Sequence, residues 1–346
     1  MSCLRPRRLP AEWNPQDAVL LAWPHAATDW YPLLEEVKHC YRRLIASIID
    51  HEPVLLVTPD VEDTRRELRD LDNGQIHYFE IDTNDTWARD FGPLTVVDGD
   101  GAPLLLDYKF DAWGMKFAAC LDNLVVRRLH DMGAFAAPFV SRQGFVLEGG
   151  SIESDGDGTL MTTTRCLLSP NRNGALSREQ IERQLLDDLG MEKVIWIEHG
   201  ELAGDDTDAH IDTIARFAPH NTIVFSGADE PVDAQARSLI ALEQELEQVT
   251  NRHGEHYHLV KLPTPVPILD EDGYRMPATY ANFLVTNKKV LVPVYGQKTD
   301  DVALRLIASC FDREAVGIDC RPLIEQHGSL HCVTMQLPKG TLSFEL

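Results

Sequence analysis

Gly204-Asp-Asp-Thr-Asp-Ala-His-Ile-Asp-Thr-Ile-Ala-Arg-Phe217 runs from an acidic segment into an apolar alternation. His210 and Asp212 stand two residues apart where that alternation begins. Residues i and i+2 of an extended strand project from one face, so the spacing predicts an imidazole and a carboxylate aimed at one small volume. Asp205, Asp206 and Asp208 crowd in just before, and such converging charge suits a cationic ligand. A solvated acidic loop with an incidental histidine is the alternative. The stretch also opens a hairpin: 211–217 and 222–225 flank Pro219-His-Asn221, and a helix (233–249) and a strand (257–262) follow.

Outward in both directions the same order recurs. Runs 94–97 and 104–108 flank Asp98-Gly-Asp-Gly101, with a helix predicted over 116–132 and no clear strand after it. Runs 145–153 and 159–163 flank Asp155-Gly-Asp-Gly158, followed by helix 178–189 and strand 194–197. Runs 280–285 and 290–294 flank Asn287-Lys-Lys289, followed by helix 300–310 and strand 315–319. Asp-Gly between alternating runs signals a hairpin, because glycine tolerates the positive φ of the turn. The N-terminal part predicts strand 18–23, a helix from about 33 to 50 and strand 54–58. In that helix Leu34, Val37, Tyr41, Leu44, Ile45 and Ile48 recur at three- and four-residue steps. A charged helix follows over 61–71. At the other end, 331–337 and 341–344 read as a hairpin across Pro338-Lys-Gly340, which with the N-terminal helix and strand makes a fifth unit.

Five hairpin–helix–strand units of roughly 60–70 residues predict a single α/β domain, 1–346, built of repeats closed on themselves with both termini in one unit. A three-layer α/β domain with a smaller companion is the other architecture open to this pattern.

Composition bounds the function. The 346 residues are 44% hydrophobic and 25% charged, ordinary for a soluble globular protein. A net charge of −23 disfavours nucleic acid and anionic membranes as partners and favours small cations. No apolar run reaches the ~18–20 residues of a membrane span, and Met1-Ser-Cys-Leu-Arg-Pro-Arg-Arg8 lacks an apolar signal core. Seven scattered cysteines without a Cys-x-x-Cys pair point to reduced thiols and a cytoplasmic location.

Repeats closed on an axis bring equivalent positions together. Asp90, in Thr86-Trp-Ala-Arg-Asp-Phe-Gly-Pro93, precedes the first hairpin. Glu148 comes 58 residues later, His210 a further 62, and Cys332 a further 122, twice 61. The set joins a thiol, an imidazole and carboxylates. Cys332 is the candidate nucleophile, and the alternative is a small buried hydrophobe. His210 is the candidate general acid and base, with Glu148 orienting and charging its imidazole. Asp90 and Asp212 could fork a planar guanidinium. The alternatives are a salt bridge from Asp90 to Arg89 and, for the whole cluster, a Mn²⁺ or Zn²⁺ site, although no second histidine sits at ligand spacing.

Trp87-Ala-Arg-Asp-Phe-Gly-Pro93, Leu147-Glu-Gly-Gly-Ser151, Ser169-Pro-Asn-Arg-Asn173, Gly204–Asp212 and His331-Cys332 resemble the agmatine deiminases, bacterial peptidylarginine-deiminase-like proteins of the guanidine-modifying pentein superfamily. The resemblance runs from Glu12-Trp13 and Leu21-Ala-Trp-Pro-His25 to the C-terminus. It implies the pentein fold, a five-bladed α/β propeller with its site on the axis. It also implies a hydrolase of linear amidines that converts agmatine to N-carbamoylputrescine and ammonia, a step of putrescine and polyamine biosynthesis. The implied roles are Cys332, His210 and Glu148 in catalysis and Asp90 and Asp212 on the guanidinium, through a covalent thiouronium, with no metal and no cofactor. Asp206 is the candidate for the distal amine and Trp87 for the alkyl chain. Free or peptidyl arginine, amidino transfer, and an inactive guanidine-binding pentein stay open, as does the oligomeric state, a homodimer included. Two positions depart from the family pattern: Ala209 and His327 stand where glycine is usual.

Overall fold

The computed structural model describes residues 7–343. These form five separate small sheets, each with one strand order. In every sheet an edge strand pairs antiparallel with a central strand, which pairs parallel with a third that returns after a helix. The first sheet holds Leu94–Asp98, Pro103–Lys109 and Phe139–Val146, with Arg7–Arg8 added at its edge. The second holds Ile152–Ser154, Thr159–Thr163 and Lys193–Ile197. Ala215–Ala218, Thr222–Ser226 and His258–Leu262 make the third. Leu284–Val285, Lys289–Val294 and Glu314–Asp319 make the fourth. The fifth joins the two ends of the chain: Met335–Pro338 pairs antiparallel with Gln16–Ala22, which pairs parallel with Val54–Thr58, and Ile76–Glu80 completes it. Both termini therefore lie in one unit, as the repeat count predicts.

Local chemistry explains the well-predicted parts. In Asp98-Gly-Asp-Gly101 the Asp98 carboxylate accepts the Asp100 and Ala102 N–H groups, and Gly101 takes φ 83°. Asp155 repeats the device on the N–H groups of Asp157, Gly158 and Thr159. The helix Leu34–Ile48 buries Val37, Cys40, Tyr41, Leu44, Ile45 and Ile48 on one face, while Leu34 stays half-buried. Strands Gln16–Ala22 and Val54–Thr58 are buried at every residue, which is why they read as continuous apolar runs.

Several expectations fail, and the strand expected over 280–285 is reduced to Leu284–Val285. The run 331–337 does not fold back on 341–344. Its strand is Met335–Pro338, and Leu342 instead bridges Phe135 beside the first sheet; Phe344 lies outside the described residues. The helix expected over 116–132 shrinks to Val125–Asp131 behind a 3₁₀ turn, Asp122–Leu124. Before it, Ala112, Trp113, Gly114 and Met115 all take positive φ (54°, 58°, 85° and 65°), a left-handed turn held by Asp111 accepting the Gly114 N–H. The strand expected over 145–153 is broken by a 3₁₀ turn at Gly149–Ser151.

Among the described residues no helix is long and apolar enough to cross a membrane.

Candidate active site

Each of the five sheets carries a polar residue just ahead of its edge strand, and these residues meet. Asp90 sits four residues before Leu94, in the short helix Ala88–Phe91. Its Oδ1 accepts the Gly150 N–H at 2.9 Å and its Oδ2 the Trp113 indole N–H at 2.9 Å. The salt bridge to Arg89 considered from the sequence is not formed: Arg89 turns away to donate to Gln336 Oε1 at 2.6 Å.

His210 and Asp212 do share one small volume, but not as strand neighbours. Ile211–Thr213 is a 3₁₀ turn, and the strand starts only at Ala215. Both side chains are essentially inaccessible, at 1% and 0%. His210 Nδ1 lies 3.7 Å from Asp90 Oδ1, and its Nε2 has no hydrogen-bond partner. Gly150 makes the meeting possible. A Cβ there would sit 2.6 Å from His210 Nδ1, 2.9 Å from Asp90 Oδ1 and 3.0 Å from Asp212 Oδ2, so any other residue would push the three apart.

Asp212 is already half committed. Its Oδ2 is 2.7 Å from His331 Nδ1, whose Nε2 is 2.7 Å from Glu12 Oε2. Burial pushes the Asp212 carboxyl up, but the hydrogen bond to His331 and the positive charge around it, Arg216 included, outweigh it and hold the group below the usual carboxylate range. Glu12 is likewise lowered despite burial, by Arg216 and His331. The His331 ring thus bridges the Asp212 and Glu12 carboxylates through its two nitrogens. Asp212 Oδ1 is left buried and unpartnered.

Glu148 lies beside His210 but takes its side-chain hydrogen bonds from an arginine. Its two oxygens accept the Arg172 Nε–H at 2.9 and 3.0 Å, with both side chains fully buried, while Arg172 reaches on to Asp208 Oδ2 at 2.6 Å. A Glu148 oxygen stands within 4.8 Å of a His210 ring nitrogen without a hydrogen bond between them. Arg172 takes the carboxylate because a buried cation offsets its desolvation only through such pairing. In two buried groups of potential ligands an arginine already pairs with the carboxylates: Arg172 with Glu148 in Glu148–Cys166–His210, and Arg216 with Glu12 and Glu153 beside His331.

Cys332 lines a cavity of about 230 Å³ together with Asp90, Trp87, Trp113, Asp206 and His327. Asp29, Asp85 and Glu325 line it too, and no lysine or arginine does. Trp87 packs against the chain leading to the cysteine, where a Cβ on Gly328 would sit 2.1 Å from the ring. It thus serves as both core and cavity wall. Asp206 reaches the cavity, and burial pushes its carboxyl up to about 6. Burial, Asp212 and Asp90 hold the Cys332 thiol well above its ordinary value, and burial, Asp212 and Glu148 do the same to the Asp90 carboxyl. Burial lowers His210 to about 3. Burial thus favours the protonated forms of Cys332 and Asp90 and the neutral ring of His210.

The two departures from the family pattern have a backbone reading. Ala209 takes φ 63° and His327 φ 64°, conformations that suit glycine and cost other residues roughly 1–2 kcal/mol. His327 Nδ1 meets the Gly204 carbonyl at 2.8 Å, tying two loops together at the cavity mouth.

The sequence reading missed Arg172, His331, Glu12 and Asn282. The last had a signal: the spacing of twice 61 from His210 to Cys332 leaves the fourth unit without a member. Asn282, two residues before Leu284, fills that gap.

The family of Porphyromonas-type peptidyl-arginine deiminases matches residues 8–338. The chain belongs to this family. A Selenomonas ruminantium protein provisionally named an agmatine deiminase is 34% identical, with 95% of each chain covered. A crystal structure from Porphyromonas gingivalis, provisionally named an arginine deiminase, is 48% identical with a TM-score of 0.92, covering 97% of this chain and 99% of that one. A cysteine-to-serine variant of the C. jejuni agmatine deiminase, with substrate bound, is 36% identical with a TM-score of 0.88, and 96% of each chain is covered. The mixed α/β fold is also shared with a dimethylarginine dimethylaminohydrolase, at 12% identity and a TM-score of 0.50.

Proposed function

We propose that this chain is an agmatine deiminase, hydrolysing the guanidinium of agmatine to N-carbamoylputrescine and ammonia through a covalent intermediate on Cys332. The observation that carries this reading is the cavity: lined by acids, without lysine or arginine, and ending on a thiol beside two carboxylates. Agmatine offers a cation at each end and no carboxylate. Arginine would bring its α-carboxylate to a wall that includes Asp206 and Glu325; among the described residues no lysine or arginine lines the cavity, and the nearby Lys116 ammonium is already engaged by the Asp206 carbonyl and Asp208 Oδ1. The names of relatives with agmatine as substrate support the same choice. The five sheets are read as blades of one pentein propeller over residues 1–346, with the site on its axis.

The guanidinium lies between Asp90 and the free Oδ1 of Asp212. His210 accepts the thiol proton, and the sulfur attacks the guanidinium carbon to form a tetrahedral adduct. His210 returns the proton to an amino nitrogen, the C–N bond breaks and ammonia leaves a thiouronium. The ring then deprotonates water, which attacks the same carbon. The second adduct collapses with cleavage of the C–S bond, the thiol regains its proton, and the ureido product departs. Glu148, paired with Arg172, bears on His210 through packing rather than by a hydrogen bond.

Burial raises the Asp90 carboxyl, and a cation bound against it favours the ionised form. Agmatine binding to the turnover-blocked Cys332→Ser protein should therefore release protons, and affinity should rise with pH up to the free-state value of Asp90. Calorimetry in two buffers of different ionisation enthalpy reads this directly; net proton uptake would contradict it.

The arginine reading retains the support of names: that of the Porphyromonas gingivalis relative at 48% identity and that of the family itself. Ammonia release from agmatine, free arginine and a blocked arginyl peptide separates the two. The expected preference for agmatine in kcat/KM is at least about 100-fold, the effect of leaving an unpaired charge in a buried pocket. Equal or greater turnover of arginine would overturn the assignment.

A further inference from the structure

We propose that Asn282, the fourth sheet's contribution to the site, is a positioning residue that holds the Cys332 sulfur as a protonated, aimed thiol until a cationic substrate arrives. The inference rests on Cys332 being the nucleophile.

Its orientation is over-determined. Asn282 Oδ1 accepts the His331 N–H at 2.9 Å and the Cys332 N–H at 3.3 Å, while Nδ2 donates to the Asp212 carbonyl at 3.3 Å. A flipped amide would set its NH₂ against two N–H donors and its oxygen against a carbonyl, so the side chain has one orientation. That orientation turns Oδ1 toward Cys332 Sγ, 3.4 Å away. A thiol donates into this oxygen, whereas a thiolate would face the lone pairs of the amide and keep only the Ser329 backbone as its hydrogen-bond partner. Asn282 is 0% exposed, so water does not relieve the mismatch. The contact therefore favours the thiol in the resting protein. When the proton leaves, it repels the sulfur from the amide. Because the same amide is tied to the Asp212 backbone, it also fixes the offset between the nucleophile and one arm of the guanidinium fork.

The test uses the full chain without substrate. Alkylation of Cys332 by iodoacetamide is followed against pH, with the site mapped by mass spectrometry, in the wild type, Asn282→Ser and Asn282→Asp. Serine removes the acceptor, so the midpoint should fall by about 0.5–1 pH unit, the worth of one hydrogen bond. Aspartate keeps the acceptor and adds a negative charge, so the midpoint should rise. With agmatine, Asn282→Ser should lose at least about tenfold in kcat with KM changed less than about threefold, since the carboxylate fork is untouched. A merely structural role would not move the two midpoints in opposite directions. A midpoint in Asn282→Ser that stays put or rises overturns the proposal. Should that variant fail to fold, the near-isosteric Asn282→Asp decides by itself: an unchanged or lowered midpoint refutes the idea. Alkylation needs no turnover, so a failure of the agmatine reading would show in the substrate panel and leave this result standing.

Discussion

Replacing Cys332 with serine should remove turnover almost completely, by at least about 10⁴-fold in kcat, the scale seen when a covalent nucleophile is lost. A serine hydroxyl is far harder to deprotonate than a thiol, and His210, lowered to about 3 by burial, is too weak a base to compensate. Agmatine binding should survive, because Asp90, Asp212 and the aromatic walls stay in place. Steady-state ammonia release and calorimetric affinity on the same protein separate the two effects. Activity within tenfold of the wild type would remove Cys332 from the chemistry.

The second large effect is expected at Asp90. Asp90→Asn keeps the shape but withdraws one of two carboxylates from the guanidinium. Removing one partner of a buried charge pair costs about 2–5 kcal/mol, or roughly 30- to 5,000-fold in kcat/KM. The loss should fall on both constants, since Asp90 binds the cation and sets its plane against the sulfur. The substitution also carries a pH signature. The folded protein holds the Asp90 carboxyl well above its ordinary value. It therefore binds a proton that the unfolded chain gives up near pH 3.9, and stability falls as pH rises above that value toward the folded one. Asparagine removes that slope. Thermal melts between about pH 5 and 8 should decline less steeply in the variant, and a steeper decline would contradict the assigned protonation state.

What was legible in the sequence follows from the range of the forces involved. Hairpins at Asp98–Gly101 and Asp155–Gly158 were readable because one aspartate organises its own turn within four residues. The helix Leu34–Ile48 was readable from its apolar stripe. Asp90, His210, Asp212 and Cys332 could be placed together because repeats put equivalent positions on one side. The local geometry was not readable. A 3₁₀ turn, not a strand, aims His210 and Asp212, and it works only because Gly150 lets the backbone lie against them. The helix expected from 116 gives way to a left-handed turn that carries Trp113 to Asp90, 23 positions away in sequence. Long-range pairings left no pattern at all: Glu148 with Arg172, and His331 with Glu12 across 319 positions. Buried polar partners are chosen by the finished fold, so their spacing carries no periodicity.

The central claim is a covalent bond between Cys332 and the guanidinium carbon. Rapid acid quench of the wild-type protein during agmatine turnover, followed by mass spectrometry of its peptides, tests it directly. The account predicts a Cys332 peptide heavier by the mass of agmatine less ammonia, absent from Cys332→Ser and lost as substrate runs out. An adduct on another cysteine, or rapid turnover with Cys332 never modified, would contradict it.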